Sequence, residues 1–199
     1  MSVVCVVRKQ GVTAIAADTQ STAGSTKKPA SYKSEPSKII PAHGNLLGVV
    51  GYCAHQMVIR DLIGRKPELF RFTNPDEIFR DLQKVHEILK DEYHLQTSEG
   101  GCGQPYESTQ LSFCVATPDA IYEIDSYREV TEIERFWAIG SGNEYALGAM
   151  HAAYDCEWLD AREIAEAGAR AAACFDIYCG EPIESQVQSK KSKKRAVAR

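Results

Sequence analysis

No stretch of this chain is apolar for long enough to cross a membrane, which sets aside a membrane-embedded role. The N-terminus, MSVVCVVRKQ, lacks a basic n-region, a long apolar segment and a small-residue cleavage site. No secretory signal is visible, and the expected location is the cytoplasm. Cysteine is present but unpatterned. Cys5, Cys53, Cys102, Cys114, Cys156, Cys174 and Cys179 are odd in number and include no C-x-x-C pair. This argues against a disulfide framework and a zinc site, and leaves reduced thiols that mostly fill the core. The histidines form no metal box either, since His86 and His94 lie eight residues apart with no third ligand at helical spacing. No internal repeat is evident.

What is abundant is acid. The net charge is −4, yet residues 190–199 hold six of the 23 lysines and arginines and no carboxylate, so the remainder carries −10. An acidic body argues against a nucleic-acid-binding core. The basic end is read as a solvated, disordered tail. The alternative is a binding module in which the tail grips RNA, DNA or an acidic surface. At 199 residues the chain suits one domain over 1–189, large enough for a sizeable core, followed by that tail.

The runs at 2–8 and 12–18 are near-continuously apolar and joined across Lys9, Gln10 and Gly11, which predicts a hairpin covered on both faces. Further strands are predicted at 45–51, 109–117, 120–125 and 136–140. A helix is expected from about Ala54 to Leu62, stopping at Gly64. A second starts at an Asn74 cap with Pro75 first in the helix, and buries Ile78, Leu82, Val85 and Leu89 on one face. Two more are expected from Asn143 to about Tyr154 and from Asp160 to about Phe175, the latter with Asp160 and Glu163 at capping-box spacing. The Gly-rich loop 97–108 is a candidate substrate-contacting loop. Strands in hairpins interleaved with helices point to a layered α+β domain.

The phrase GVTAIAADTQST, together with SKII (37–40), LLGVVG (46–51), AIGSGNEYALGA (138–149) and DAREIAEAGARAAACFDIY (160–178), resembles the proteasome β-subunit and HslV family in order along nearly the whole chain. The resemblance implies the N-terminal nucleophile hydrolase fold, a four-layer αββα sandwich of two stacked antiparallel sheets between helices. Within the family the chain looks similar to HslV-derived bacterial proteasome homologues, some of which carry Ser where most relatives carry Thr. It departs from HslV in a longer connection between Asp18 and Lys38 and an extended 97–108 loop, and in keeping Asp176 where HslV has Cys. The basic tail matches none of the family segments.

By resemblance, Ser2 is the nucleophile, exposed once Met1 is removed, with its own α-amino group as base. That amine must be neutral to act, and its ordinary pKa is about 7.7–8.0. Lys38, by resemblance beside the nucleophile, supplies a push: a like charge roughly 5 Å away at an effective dielectric near 20 contributes about 3 kcal/mol. Asp18 pairs with Lys38, while Ser141 and Asp176 orient the amine. Gly48 matches the oxyanion position, although a glycine easing strand packing explains it nearly as well. Ser21, Thr22, Ile40, Leu46, Val50 and Ala54 match the substrate pocket; the specificity positions among them carry no charge, which leads to an expected apolar residue on the N-terminal side of the cut bond. No cofactor is required; a monovalent cation on the carbonyls of Ala173, Asp176 and Cys179 is implied by resemblance to HslV. The implied partners are unfolded polypeptides and further copies of the chain in two stacked rings, seven per ring favoured over six, with an ATP-dependent unfoldase as a further candidate. Two other readings stay open, a catalytically silent ring subunit and a small-molecule amidase or acylase of the same superfamily.

Overall fold

Val3, Cys5 and Val7 face one core while Val4 and Val6 face another, and the next strand repeats the division with Ala14 and Ala16 against Ile15 and Ala17. A strand with apolar side chains on both faces must lie inside a stack of layers. The structure, a computed structural model, describes residues 2–98 and 103–189. Strands β1 (Val3–Lys9), β2 (Val12–Asp18), β10 (Phe136–Gly140) and β11 (Ile183–Ser189) form an antiparallel sheet in the order β10-β1-β2-β11. Strands β5 (Ile39–Ala42), β6 (Asn45–Val50), β7 (Ser112–Ala116), β8 (Ile121–Ile124) and β9 (Val130–Ile133) form the second sheet, in sequence order. A small hairpin of β3 (Ser21–Ala23) and β4 (Thr26–Lys28) stands apart.

Helices α3 (Asn143–Tyr154) and α4 (Ala161–Phe175) cover the outer face of the first sheet through Ala146, Met150, Ile164, Ala165, Ala169 and Ala172. Helices α1 (Cys53–Arg65) and α2 (Pro75–Asp91) cover the second sheet through Ile59, Leu62, Ile78, Leu82, Val85 and Leu89. Between the sheets, Val4, Val6, Ile15 and Ala17 meet Leu46, Cys114, Ala116 and Ile121. Three cores separate four layers, so the order is helix, sheet, sheet, helix. The expected αββα sandwich is the observed fold.

Local chemistry explains the elements. Asn74 caps α2 by accepting from the Glu77 N–H at 3.0 Å, and Asp160 and Glu163 close a reciprocal capping box on α4. Helix α1 runs through Gly64 to Arg65, so that glycine does not end it. Strand β11, IESQVQS, was not predicted. It is a polar edge strand held by its ladder to β2, with Ile183 opposite Asp18 and Ser189 opposite Val12. The basic tail lies outside the described residues, as do residues 99–102 of the loop. No helix among the described residues is long and apolar enough to cross a membrane.

Candidate active site

The site gathers where β1 begins and β2 ends. Ser2 is buried at the head of β1, and Asp18 closes β2 with no exposed surface. Asp18 Oδ1 accepts from Lys38 Nζ at 2.5 Å and from the Val3 N–H at 3.0 Å. Its other oxygen accepts from the N–H groups of Gln20 and Gly180, both at 3.1 Å. Three backbone donors and one ammonium thus satisfy a carboxylate that burial would otherwise penalise heavily. Because one of those donors belongs to Val3, the ion pair is fastened to the backbone directly after Ser2.

Lys38 is fixed from behind by a residue the sequence did not flag. Glu184 Oε1, on β11, accepts from the Lys38 N–H at 2.6 Å, the Ile39 N–H at 3.1 Å and the Ser37 hydroxyl at 2.8 Å. On the opposite side, the single Ser141 hydroxyl proton is shared between the Asp176 carboxylate and the Ser2 carbonyl, the latter at 3.5 Å. Burial works to raise the Asp176 pKa, but the Ser141 hydroxyl, the Tyr178 N–H and the Cys179 thiol outweigh it and leave it below the usual range. Gly140, at φ 102°, lets the backbone pass so near Ser2 that an added Cβ would sit 2.1 Å from the Ser2 carbonyl oxygen. Ser2, Asp18, Lys38, Ser141 and Asp176 therefore converge.

The expected oxyanion glycine does not sit where that role needs it. Gly48 lies mid-ladder, opposite Ile39 and Cys114, and an added Cβ would meet Val4 Cγ1 at 2.3 Å. It is a spacer that lets the sheets close. Gly51, one residue past the end of β6 at φ 154°, lines the cleft with Ser2. It immediately precedes Tyr52, the N-cap of α1, so the positive end of a helix dipole stands beside it.

The cleft encloses about 880 Å³, with Ser2, Lys38, Gly51, Ser21, Thr22 and Ala54 on its wall. Val50 borders an adjoining recess with Thr22 and Ser141, and Gln96 and Ser98, from the described part of the long loop's approach, border another with Gly51. Two expected pocket residues lie elsewhere. Ile40 packs in the core beneath α1 and α2, and Leu46 packs between the sheets. The wall is also not free of charge, since Lys28, Lys33 and Glu35 line it. All three come from the long connection between Asp18 and Lys38. The three buried thiols are poor nucleophiles: burial pushes those of Cys5 and Cys114 far up, and burial with the nearby Asp18 charge does the same to Cys179, while Cys53, which is exposed, lines the cleft alongside Ser2. Among the described residues, no cluster of three His, Cys, Asp or Glu side chains is arranged to hold a metal.

The layering, with two sheets stacked face to face between helical pairs, is that of the N-terminal nucleophile hydrolases. The chain belongs to the proteasome subunit family, whose model matches residues 1–186. A proteasome subunit beta from Nanoarchaeum equitans is 34% identical over 73 residues, 36% of this chain and 37% of that protein. An ATP-dependent protease subunit HslV from Trypanosoma brucei is 32% identical over 88 residues, 43% of this chain and 42% of its own length. The chain thus spans about two fifths of the length of the curated relatives it matches. Among solved structures, BPH from Thiobacillus denitrificans in complex with epoxomicin superposes with a TM-score of 0.84 at 32% identity, over 95% of this chain and 99% of that one.

Proposed function

We propose that the chain is a peptidase subunit that cuts peptide bonds inside a closed ring assembly, with Ser2 as N-terminal nucleophile. The observation that carries this reading is the buried Asp18–Lys38 pair at 2.5 Å, tied to the N–H of Val3, the residue after Ser2. An ion pair taken out of water is an expensive structural device when packed apolar residues would serve as well. Its placement gives the cost a use, because Lys38 lines the same cleft as Ser2 and its charge favours the neutral form of a nearby amine.

With Met1 removed, the Ser2 amine takes the proton from Oγ as Oγ attacks the substrate carbonyl. The resulting oxyanion is met by the Gly51 N–H at the start of α1; a donor of this kind contributes roughly 10²- to 10³-fold in rate. Collapse breaks the C–N bond, the protonated amine gives its proton to the leaving nitrogen, and the acyl group remains on Oγ as an ester. Water, deprotonated by the same amine, then attacks the ester, and Oγ leaves with the proton restored. Ser141 and Asp176 hold the geometry of the Ser2 backbone. A monovalent cation on the carbonyls of Ala173, Asp176 and Cys179 would sit at and just beyond the negative end of α4, with the Asp176 carbonyl, which accepts the Cys179 N–H at 3.0 Å, offering its second lone pair. No catalytic step runs through it.

Ser2→Ala keeps the amine and removes the hydroxyl, so hydrolysis of unstructured polypeptide falls to background while the fold persists. Ser2→Thr preserves amine, hydroxyl and Met removal and retains activity. Wild-type hydrolysis by Ser2→Ala, in material free of other proteases, contradicts the reading.

A further inference from the structure

The cleft carries a charge that the chemistry above does not use. Lys38 is paired with Asp18 and is used by that chemistry, and Glu35 at the rim is paired with Arg60 at 2.8 Å. Lys33 has no ion-pair partner of this kind among the described residues. It follows the short helical turn Ala30–Tyr32, inside the long connection, and reaches back across the cleft. Its Nζ donates to the Thr19 carbonyl at 2.6 Å and to the Ser21 hydroxyl at 2.7 Å, both neutral acceptors. Among the described residues, no carboxylate forms an ion pair with it. Burial, then the Lys38 ammonium, hold its pKa below the usual lysine value, while Cys53, Asp18 and Glu184 act from a distance in the other direction.

An ammonium has three N–H donors, and two are spent. The third, on a half-buried cation lining the same cleft as Ser2, has no carboxylate partner among the described residues, and Lys28 on the same wall adds to the positive field. We infer that Lys33 is a specificity-determining residue that receives a substrate carboxylate, so that the cleft favours an Asp or Glu side chain beside the bond to be cut. This rests on the hydrolase reading of the cleft, and replaces the apolar preference expected from an uncharged pocket. A charge-assisted hydrogen bond is about twice as strong as a neutral one, and an acidic side chain entering here exchanges water for such a bond. A basic side chain meets two lysines and, among the described residues on the wall, an acid, Glu35, already paired with Arg60. Lys33 also ties the connection to the Thr19–Ser21 segment, so its removal loosens the cleft wall for every substrate; relative preference separates the two roles.

The experiment compares fluorogenic peptides that differ only in the residue whose carbonyl is attacked, Glu, Leu or Arg, using the full chain and its Lys33 variants, with kcat/KM as readout. The wild type should cut the Glu peptide about tenfold faster than the Leu peptide, and the Arg peptide slowest. Lys33→Met should bring the Glu-to-Leu ratio to about one, Lys33→Arg should keep it, and Lys33→Glu should turn the preference toward Arg. Raising the salt concentration should shrink the wild-type ratio, since part of the field comes from the exposed rim. Ratios unchanged by Lys33→Glu overturn the inference, because a purely structural tie lowers all three rates together. If Ser2 reacts with a peptide epoxyketone but the Glu peptide is not favoured, including when no peptide is cut, only the inference fails. If Ser2 does not react and nothing is cut, the hydrolase reading fails with it.

Discussion

Asp176 shows how a single carboxylate ties the site to the fold. It caps α4, receives the Tyr178 N–H at 3.0 Å and the Cys179 thiol at 3.3 Å, and bonds Ser141, which in turn bonds Ser2. Burial opposes its ionisation, but these hydrogen bonds prevail and its pKa falls below the ordinary value. For a carboxylate depressed in the folded state, the stabilisation is fully present above the unfolded pKa, about 3.9, and is lost as pH falls toward the folded value. Asp176→Asn should therefore lower the urea midpoint at pH 6, and the gap from wild type should close on acidification below about pH 4. A gap that widens on acidification contradicts the assignment. At this scale the convergence of Asp18, Lys38, Ser141 and Asp176 was legible, because each stands in a segment that resembles the family, whereas Ser2 stands in none of those segments and was singled out only through them. The proposed oxyanion donor Gly51 was not, because such a donor is a backbone group and the sequence does not say which glycine N–H escapes the ladder. Lys33 and Glu184 were not legible either, since their partners lie 12 to 147 residues away.

Helices announced themselves and edge strands did not. The Asn74 cap, Pro75 and the buried stripe through Leu89 fix α2 from local chemistry, and the side-chain bond to Glu77 N–H confirms the start. Strands β1 and β2 were equally clear, as continuous apolar runs that only a two-sided core accommodates. Strand β11 carries Glu, Ser and Gln at most positions, and its extended form comes from pairing with β2, a contact that no local pattern encodes. Replacing Asn74 with Ala should cost about 1 kcal/mol through loss of the cap, a fall of about 2–4 °C in Tm for a domain of this size. Peptide hydrolysis at room temperature should be unaffected, since Asn74 lies on the helical layer away from the cleft. An unchanged Tm would show that the cap carries no stability.

The isolated chain leaves apolar surface open where α3 begins and α4 ends. Tyr145 and Phe175 pack with ring centroids 5.6 Å apart yet are 47% and 67% exposed, and Ile177 beside them is 67% exposed. A cluster of this kind is the sort of surface that subunit contacts cover, in keeping with the proposed double ring. Sedimentation at micromolar concentration should give a species of about 310 kDa, fourteen chains of 22.0 kDa. A species of about 260 kDa would mean rings of six, and a monomer would contradict the assembly. The central claim, that catalysis needs a free Ser2 amine beside its hydroxyl, is tested most directly by intact mass before and after a peptide epoxyketone, which bonds to both groups. The proposed mechanism predicts a chain lacking Met1 that gains one inhibitor mass per subunit, with no gain in Ser2→Ala. A chain that retains Met1 and still hydrolyses peptide, or an adduct that persists in Ser2→Ala, would contradict it.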